Sequence, residues 1–425
     1  MAWLIFLFFI IGLLINIPIG YSLAIASVSI IFLTGIVPPQ YLASSFFSSG
    51  DNFPLMALPF FVLAGDIMMH GGISTRLVNF GRALLSSQKG ALGLITVFVC
   101  MIFAAISGSG PATAAAIGGI MIPAMQREGY DGAYAASITA ASGSLGPIIP
   151  PSILLVLYGV LASVSVTDLF LAGFLPGILV GLCLMVYVAI SCRRHKFGLE
   201  TTAFSSREVW RAFKEAFWGL LMPVIILGGI YTGVFTPTEA AVIACDYGLL
   251  VSIFIYKELK LRDLPRILIK STITIGAVMV LAGAAGVFAR LIAIQKIPMM
   301  AAEAIMSVTD DRIAILLLIN LVLLLTGMVI ETISAVLIMS PILLPIVKAY
   351  GVDPLHFGLI LCVNLAIGQC TPPVGVNTFV ATGIAKIPFE LTFRWLIPIV
   401  ASMLVALMII TYVPSVSLFL PNLLK

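Results

Sequence analysis

Apolar runs of roughly 17 to 25 residues recur along this chain from Leu4 to the C-terminus, close to the ~20 residues an α-helix needs to cross a hydrocarbon core about 30 Å thick. Inside a bilayer no water satisfies backbone N–H and C=O groups, so only helices and closed barrels are available. These runs are too long and too poor in polar residues for barrel strands, which alternate over about ten residues. Only 9% of the 425 residues are charged, against about 25% in a soluble globular domain. The chain therefore reads as an all-α polytopic membrane protein.

The N-terminal "MAWLIFLFFIIGLLINIPIG" lacks the basic n-region and small-residue cleavage site of a secretory signal, and reads as a retained first membrane segment. Cys100, Cys183, Cys192, Cys245, Cys362 and Cys370 are scattered through apolar runs without a CxxC pair, which predicts free buried thiols. The net charge of +4 resides largely in loops, where it speaks to orientation and gives no sign of a nucleic-acid partner.

Positive charge gathers at Arg76, Arg82 and Lys89, at Arg193, Arg194, Lys196, Arg207, Arg211 and Lys214, and at Lys257, Lys260, Arg262, Arg266 and Lys270. The positive-inside rule makes all three loops cytoplasmic. Carrying the parity along the chain adds Arg127, Lys386 and Arg394 inside and leaves Arg290, Lys296, Arg312, Lys348 and Lys425 outside. The N-terminus is then expected on the periplasmic side.

An internal repeat runs without gaps at one offset, 345 − 123 = 222. Pro123 matches Pro345, Gly129 Gly351, Asp131 Asp353, Gly146 Gly368, Pro150 Pro372, Pro151 Pro373, Pro176 Pro398 and, conservatively, Asp168 Glu390. Weaker matches at slightly shorter offsets pair "VLAG" at 62–65 with 280–283, and Pro18 with Pro237. The parity sends Pro54 to Met69 inward and its counterpart, about Thr272 to Arg290, outward, so the repeats are expected to be inverted. Inverted repeats around a central site are a common construction of secondary transporters.

The expected organisation is a first repeat over 1–195, an amphipathic cytoplasmic linker over 196–215 and a second repeat over 216–425. The first repeat comprises scaffold helices 1–70, hairpin 92–127, broken helix 131–164 and helix 168–192. The second comprises scaffold helices 216–290, hairpin 312–348, broken helix 353–386 and helix 390–421. Each hairpin is expected as two apolar arms of about 13 to 15 residues around a polar turn, Ser107 to Thr113 or Gly327 to Ser334, too short to cross and hence re-entrant.

The broken helices carry "SGSLGPIIPPS" (Ser142 to Ser152) and "AIGQCTPPVG" (Ala366 to Gly375). A proline pair removes backbone donors and clashes with the preceding turn, leaving carbonyls without helical partners. Such backbone survives at membrane depth where protein or a water-filled cavity surrounds it, as a binding site or a buried kink. Small residues alone serve helix packing, but their concentration at four broken points favours a site.

Among intramembrane ionisable residues, Glu331 lies on the second hairpin tip, Asp66 and Arg290 lie near predicted membrane faces where they can snorkel, and Asp246 has no evident partner. His70, His195 and His356 fall at predicted segment ends and form no relay with a carboxylate. What remains is hydroxyls, amides and freed carbonyls, which suit an alkali cation, with helix N-termini as donors to a carboxylate. Sodium-coupled uptake of an organic anion fits these groups better than proton coupling.

The stretches "AAISGSGPATAAAIGGIMIPAMQREGYDGAYAASITAASGSLGPIIPPSI", "GVFTPTEAA" and "SPILLPIVKAYGVDPLHFGLILCVNLAIGQCTPPVG" resemble the large membrane subunit, DctM or SiaM type, of tripartite ATP-independent periplasmic (TRAP) transporters, over essentially the whole chain. The resemblance implies an elevator-type, ion-transporter-like domain in the bacterial inner membrane and no enzyme activity. It implies sodium symport of a small organic acid without ATP or another cofactor, the cargo being a C4-dicarboxylate, sugar acid, sialic acid or sulfonate. The implied partners are the lipid bilayer, a separate small four-helix membrane subunit and a periplasmic substrate-binding protein.

Carried onto this sequence, the resemblance places sodium at Ser107, Gly108 and Ser109 with Ser142, Gly143, Ser144 and Gly146, and at Gly327, Glu331 and Thr332 with Gly368, Thr371 and Pro372. It places substrate between them, against Ser109, Gly110, Thr113, Pro150, Pro151, Ser152, Gln369, Pro373, Gly375 and Asn377. The acidic position on the second tip is often Asp in the family and is Glu331 here. The competing readings are a stand-alone sodium/anion symporter of the same architecture and an anion channel.

Overall fold

The computed structural model describes residues 4–198, 203–306 and 311–424, and every regular element among them is a helix. Eight of these helices are long and apolar enough to cross a membrane by length and composition. Residues 199–202 of the expected linker, the N-terminal residues 1–3 and the basic Lys425 lie outside the described residues.

The ends of the helices show how backbone donors are satisfied where water is scarce. Asp131 caps Gly132–Gly143 by accepting from the Ala133 amide at 2.8 Å, and Asp353 caps Pro354–Gly368 by accepting from Leu355 at 2.7 Å. The two aspartates are 222 residues apart (353 − 131), so the sequence match carries a shared structural task. Ser152, Ser165, Ser205 and Thr236 cap other helices in the same way.

Three lengths differ from the sequence-based expectation. The first helix, Leu4–Leu14, has 11 residues and stops before Asn16, whose φ of 63° is left-handed, and Pro18. At ~1.5 Å per residue it covers little more than half of an apolar core. The hairpin arms are longer than expected: Ala91–Ser107 has 17 residues, and Gly110–Arg127, Arg312–Val329 and Thr332–Ala349 have 18 each. Length alone therefore does not distinguish these arms from spanning helices. The polar turns shrink to two residues, 108–109 and 330–331, because "GPAT" and "GMV" are themselves helical. Finally, the described end of the linker is no independent element: the 26-residue helix Ser206–Tyr231 starts inside it and continues into the apolar run that follows.

The scaffold pairs across the halves. Ile19–Thr34 packs on Leu264–Ile294, and Pro237–Leu250 packs on Ala57–His70. The hairpins also exchange partners, since the second arm of each packs against the short second segment of the other half's broken helix, Val376–Ala385 or Ile153–Ala162. Between apolar helices in lipid, close van der Waals fit is the main driving force, so small residues sit where helices meet, as at two further contacts. A methyl on Gly143 would stand 2.8 Å from the Ala114 Cβ, and Gly358 accommodates the buried ring of Tyr158, whose hydroxyl donates to the Pro354 carbonyl at 2.6 Å.

Candidate functional site

Each hairpin tip is pressed against the break in its own half, backbone to backbone. Gly108 turns the first tip with φ 60°, and its carbonyl accepts from the Ile153 amide at 3.5 Å. A methyl on Gly146 would overlap the Ser109 carbonyl oxygen and stand 2.5 Å from the carbonyl carbon and 2.9 Å from the Gly110 nitrogen. In the second half the Met328 carbonyl accepts from Val374 at 3.2 Å, and a methyl on Gly368 would lie 2.6 Å from the Gly327 Cα. The Pro150–Pro151 and Pro372–Pro373 bonds are both cis. The four broken points thus form two matched contacts.

Two amide side chains of the second half join these contacts. Gln369 donates through Nε2 to the Thr332 hydroxyl at 2.8 Å, and Asn377 donates through Nδ2 to the Ser144 hydroxyl at 3.1 Å and to the Ala140 carbonyl at 3.3 Å. Their carbonyl oxygens, Gln369 Oε1 and Asn377 Oδ1, are buried without a hydrogen-bond partner among the described residues, and both crowd the position a side chain on Gly110 would take. Leaving a buried amide oxygen unpaired costs about 1–3 kcal/mol. Two such oxygens converging on one helix start match the donor set of a hard cation such as sodium, so the residues present fit that ion. They also lie where Gly110–Arg127 opens without a side-chain cap, its first N–H groups free of intrahelical partners.

The remaining residues expected at the site divide by what their polar groups do. The Ser107 hydroxyl is 2.7 Å from that of Thr113, which donates to the Ser109 carbonyl at 2.8 Å, so the first tip is a small buried hydroxyl network. Ser142, Ser152 and Thr371 donate to the carbonyls of Ile138, Pro147 and Ile367 at 2.7, 2.6 and 2.7 Å, leaving only oxygen lone pairs for a ligand. Gly375 is buried with φ 51° against the Thr371 carbonyl, whereas Pro373 is exposed and Pro372 half-buried. Glu331 is exposed and caps Thr332–Ala349, accepting from the Ser334 amide at 3.2 Å, a task that either acid performs.

The ionisable residues settle into distinct surroundings. Asp66 accepts from Lys270 at 2.9 Å and from the Ser271 hydroxyl at 2.7 Å, so it is held by the other half and does not snorkel. Arg290 donates to the Ser48 hydroxyl at 2.9 Å. Asp246 is exposed, with no hydrogen-bond or ion-pair partner among the described residues. Sequence reasoning counted Lys270 as a loop charge. The signal it missed is position: "RILIKST" puts the lysine six residues inside Leu264–Ile294, among apolar neighbours.

Asp66 and Lys270 border a cavity of ≈ 320 Å³ that the first hairpin tip, Ser107, Ser109 and Pro111, also lines. A methyl on Gly65 would stand 3.4 Å from the Ser107 Cα, so scaffold and tip meet closely beside this space. All six cysteines are free, five of them buried.

Comparison with known proteins places this arrangement. The family model described as "Tripartite ATP-independent periplasmic transporter, DctM component" matches residues 6–416. The chain is 44% identical over 412 residues to the isethionate TRAP transporter permease protein DctMQ of Oleidesulfovibrio alaskensis, covering 97% of this chain and 65% of that longer protein. It is 40% identical over 431 residues to the C4-dicarboxylate TRAP transporter large permease protein DctM of Rhodobacter capsulatus, covering 97% of each. The fold is similar to that of the Alcanivorax borkumensis YdaH transporter, described as having an unusual topology, with a TM-score of 0.64 at 16% identity over 87% of this chain and 86% of that one. The chain belongs to the DctM component family of the tripartite ATP-independent periplasmic transporters, as a multi-pass membrane permease subunit.

Proposed function

We propose that this chain is the transport subunit of a binding-protein-dependent secondary transporter that imports a small organic acid together with sodium. The carrying observation is the pair of buried, unpartnered amide oxygens of Gln369 and Asn377 at the start of Gly110–Arg127. Neutral oxygens at a helix start suit a cation and an anion held side by side: carbonyl and hydroxyl oxygens take sodium, and the helix N–H groups and partial positive charge take a carboxylate. The relatives are named for isethionate and C4-dicarboxylates, a sulfonate and carboxylates, which supports an anionic cargo of this class.

In this reading the hairpins and broken helices move as a body against the scaffold, an elevator motion, with a small membrane subunit and a periplasmic binding protein as partners. The basic loops around Arg76, Arg193 and Lys257 then face the cytoplasm and the N-terminus the periplasm. Proteoliposomes test the proposal. Accumulation is expected only with an inward sodium gradient, the small subunit and the cognate binding protein; uptake by this chain alone refutes the tripartite arrangement, and non-saturating flux without a gradient indicates a channel.

A further inference from the structure

The Asp66–Lys270 pair is lopsided. The Asp66 side chain is 13% exposed and keeps a second partner in the Ser271 hydroxyl, 2.7 Å away, while the Lys270 side chain is 55% exposed. An ammonium has three N–H donors, and the Asp66 carboxylate at 2.9 Å takes one of them. The acid is therefore fixed in the wall without its partner, whereas the base is free to turn to another acceptor. Nor is the pair needed to anchor the helices, since Ala57–His70 and Leu264–Ile294 also pack directly.

Among the described residues, Lys270 is the one cation lining the ≈ 320 Å³ cavity, whose walls are otherwise mostly apolar, with Leu58, Val62, Ile275 and Met279 among them. The same cavity is lined by Ser109, Pro111 and Ala112, at the opening of the 18-residue second hairpin arm, the positive end of a helix dipole. An anion leaving the hairpin tip into this cavity therefore meets one positive charge on its lining, the half-exposed Lys270. We propose that Lys270 is an anion dock on the scaffold, its ammonium exchanged between Asp66 and the carboxylate or sulfonate of the transported substrate. Substrate arriving at the dock displaces Asp66, which stays bound to Ser271; substrate leaving lets the ion pair reform. The dock rests on the proposed function, because it needs an anionic cargo.

The test is counterflow in proteoliposomes containing this chain, the small subunit and the binding protein, with succinate, isethionate and N-acetylneuraminate as probes. For the probe that wild-type protein exchanges, Lys270→Met is expected to raise the half-saturation concentration on the Lys270 side about tenfold, the loss of one charged hydrogen bond, with the opposite side unchanged. Asp66→Asn, which frees the lysine, is expected to lower it. The doubly neutral Asp66→Asn/Lys270→Met separates a dock from a structural ion pair. A structural pair is relieved when both charges go and exchange returns to wild-type values; a dock stays as weak as in Lys270→Met. Recovery in the double variant, or unchanged half-saturation in Lys270→Met, overturns the dock alone, whereas wild-type exchange of none of the probes overturns the importer reading and the dock with it.

Discussion

Replacing Gly146 with alanine tests whether the first tip and its break must touch for sodium to bind. The added methyl would stand 2.5 Å from the Ser109 carbonyl carbon, and ordinary contact begins at 3.4 Å, so backbone must retreat by roughly 0.9 Å. No flexible side-chain end can absorb this, because the nearest atoms all belong to the 109–110 backbone. Overpacking of this kind costs about 1–3 kcal/mol. If the strain is relieved by moving the tip carbonyl away from the ion, sodium half-saturation rises about 5- to 150-fold, at 1.4 kcal/mol per decade. The assay is the sodium dependence of uptake by the reconstituted complex, with Gly119→Ala as control, since a methyl there meets nothing within 4 Å. A Gly146→Ala protein with wild-type sodium activation would refute the reasoning, as would an equal effect of Gly119→Ala.

Three further outcomes follow from the same contacts. Ser107→Ala/Ser109→Ala is expected to weaken sodium activation of uptake while the protein still elutes as a folded complex, because the Ser107 hydroxyl belongs to the tip network, the Ser109 hydroxyl makes no hydrogen bond among the described residues, and neither serves the packing between helices. Glu331→Asp is expected to keep uptake within about twofold of wild type, since aspartate is also a good helix cap, whereas Glu331→Ala loses about 1 kcal/mol of local stability, read as faster amide exchange at Thr332 to Ser334. Asn320→Leu breaks a buried chain in which Asn364 donates to Asn320 at 2.6 Å and Asn320 to Thr411 at 3.1 Å; thermal unfolding should register a loss of about 1–3 kcal/mol, with sodium activation unchanged.

What the sequence disclosed was decided by strong local chemistry. Proline pairs cannot continue a helix, so the breaks after Gly143 and Gly368 were legible, and the Asp131 and Asp353 matches marked helix starts. Less legible was whatever depended on partners far along the chain. Lys270 looked like one more loop charge because its carboxylate is 204 residues away. The hairpin tips looked seven or eight residues long because glycine and serine are read as turn formers, yet in apolar surroundings the backbone gains more by staying helical up to the last two residues. Glu331 reads in the sequence as a charge on the second tip, and the structure adds a task that spacing did not reveal, the capping bond from the Ser334 amide. The resemblance already set Gln369 and Asn377 at the substrate, but their unpaired oxygens have no signature in a one-dimensional pattern, since what makes them unusual is the lack of a donor nearby.

The glycine contacts at 146 and 368 also bear on where motion is allowed. Backbones in such close contact leave little room for a tip to slide along its break, so the proposed motion would carry each hairpin and its broken helix together. It would then open along the line where Gly65 faces Ser107, and bend at the short connections 71–72 and 86–90 that lead from the scaffold into the first hairpin. Both connections hold a left-handed glycine, Gly72 in one and Gly90 in the other. In the proposed elevator motion, these two connections are the places where the first hairpin and its broken helix would swing as one unit against the scaffold.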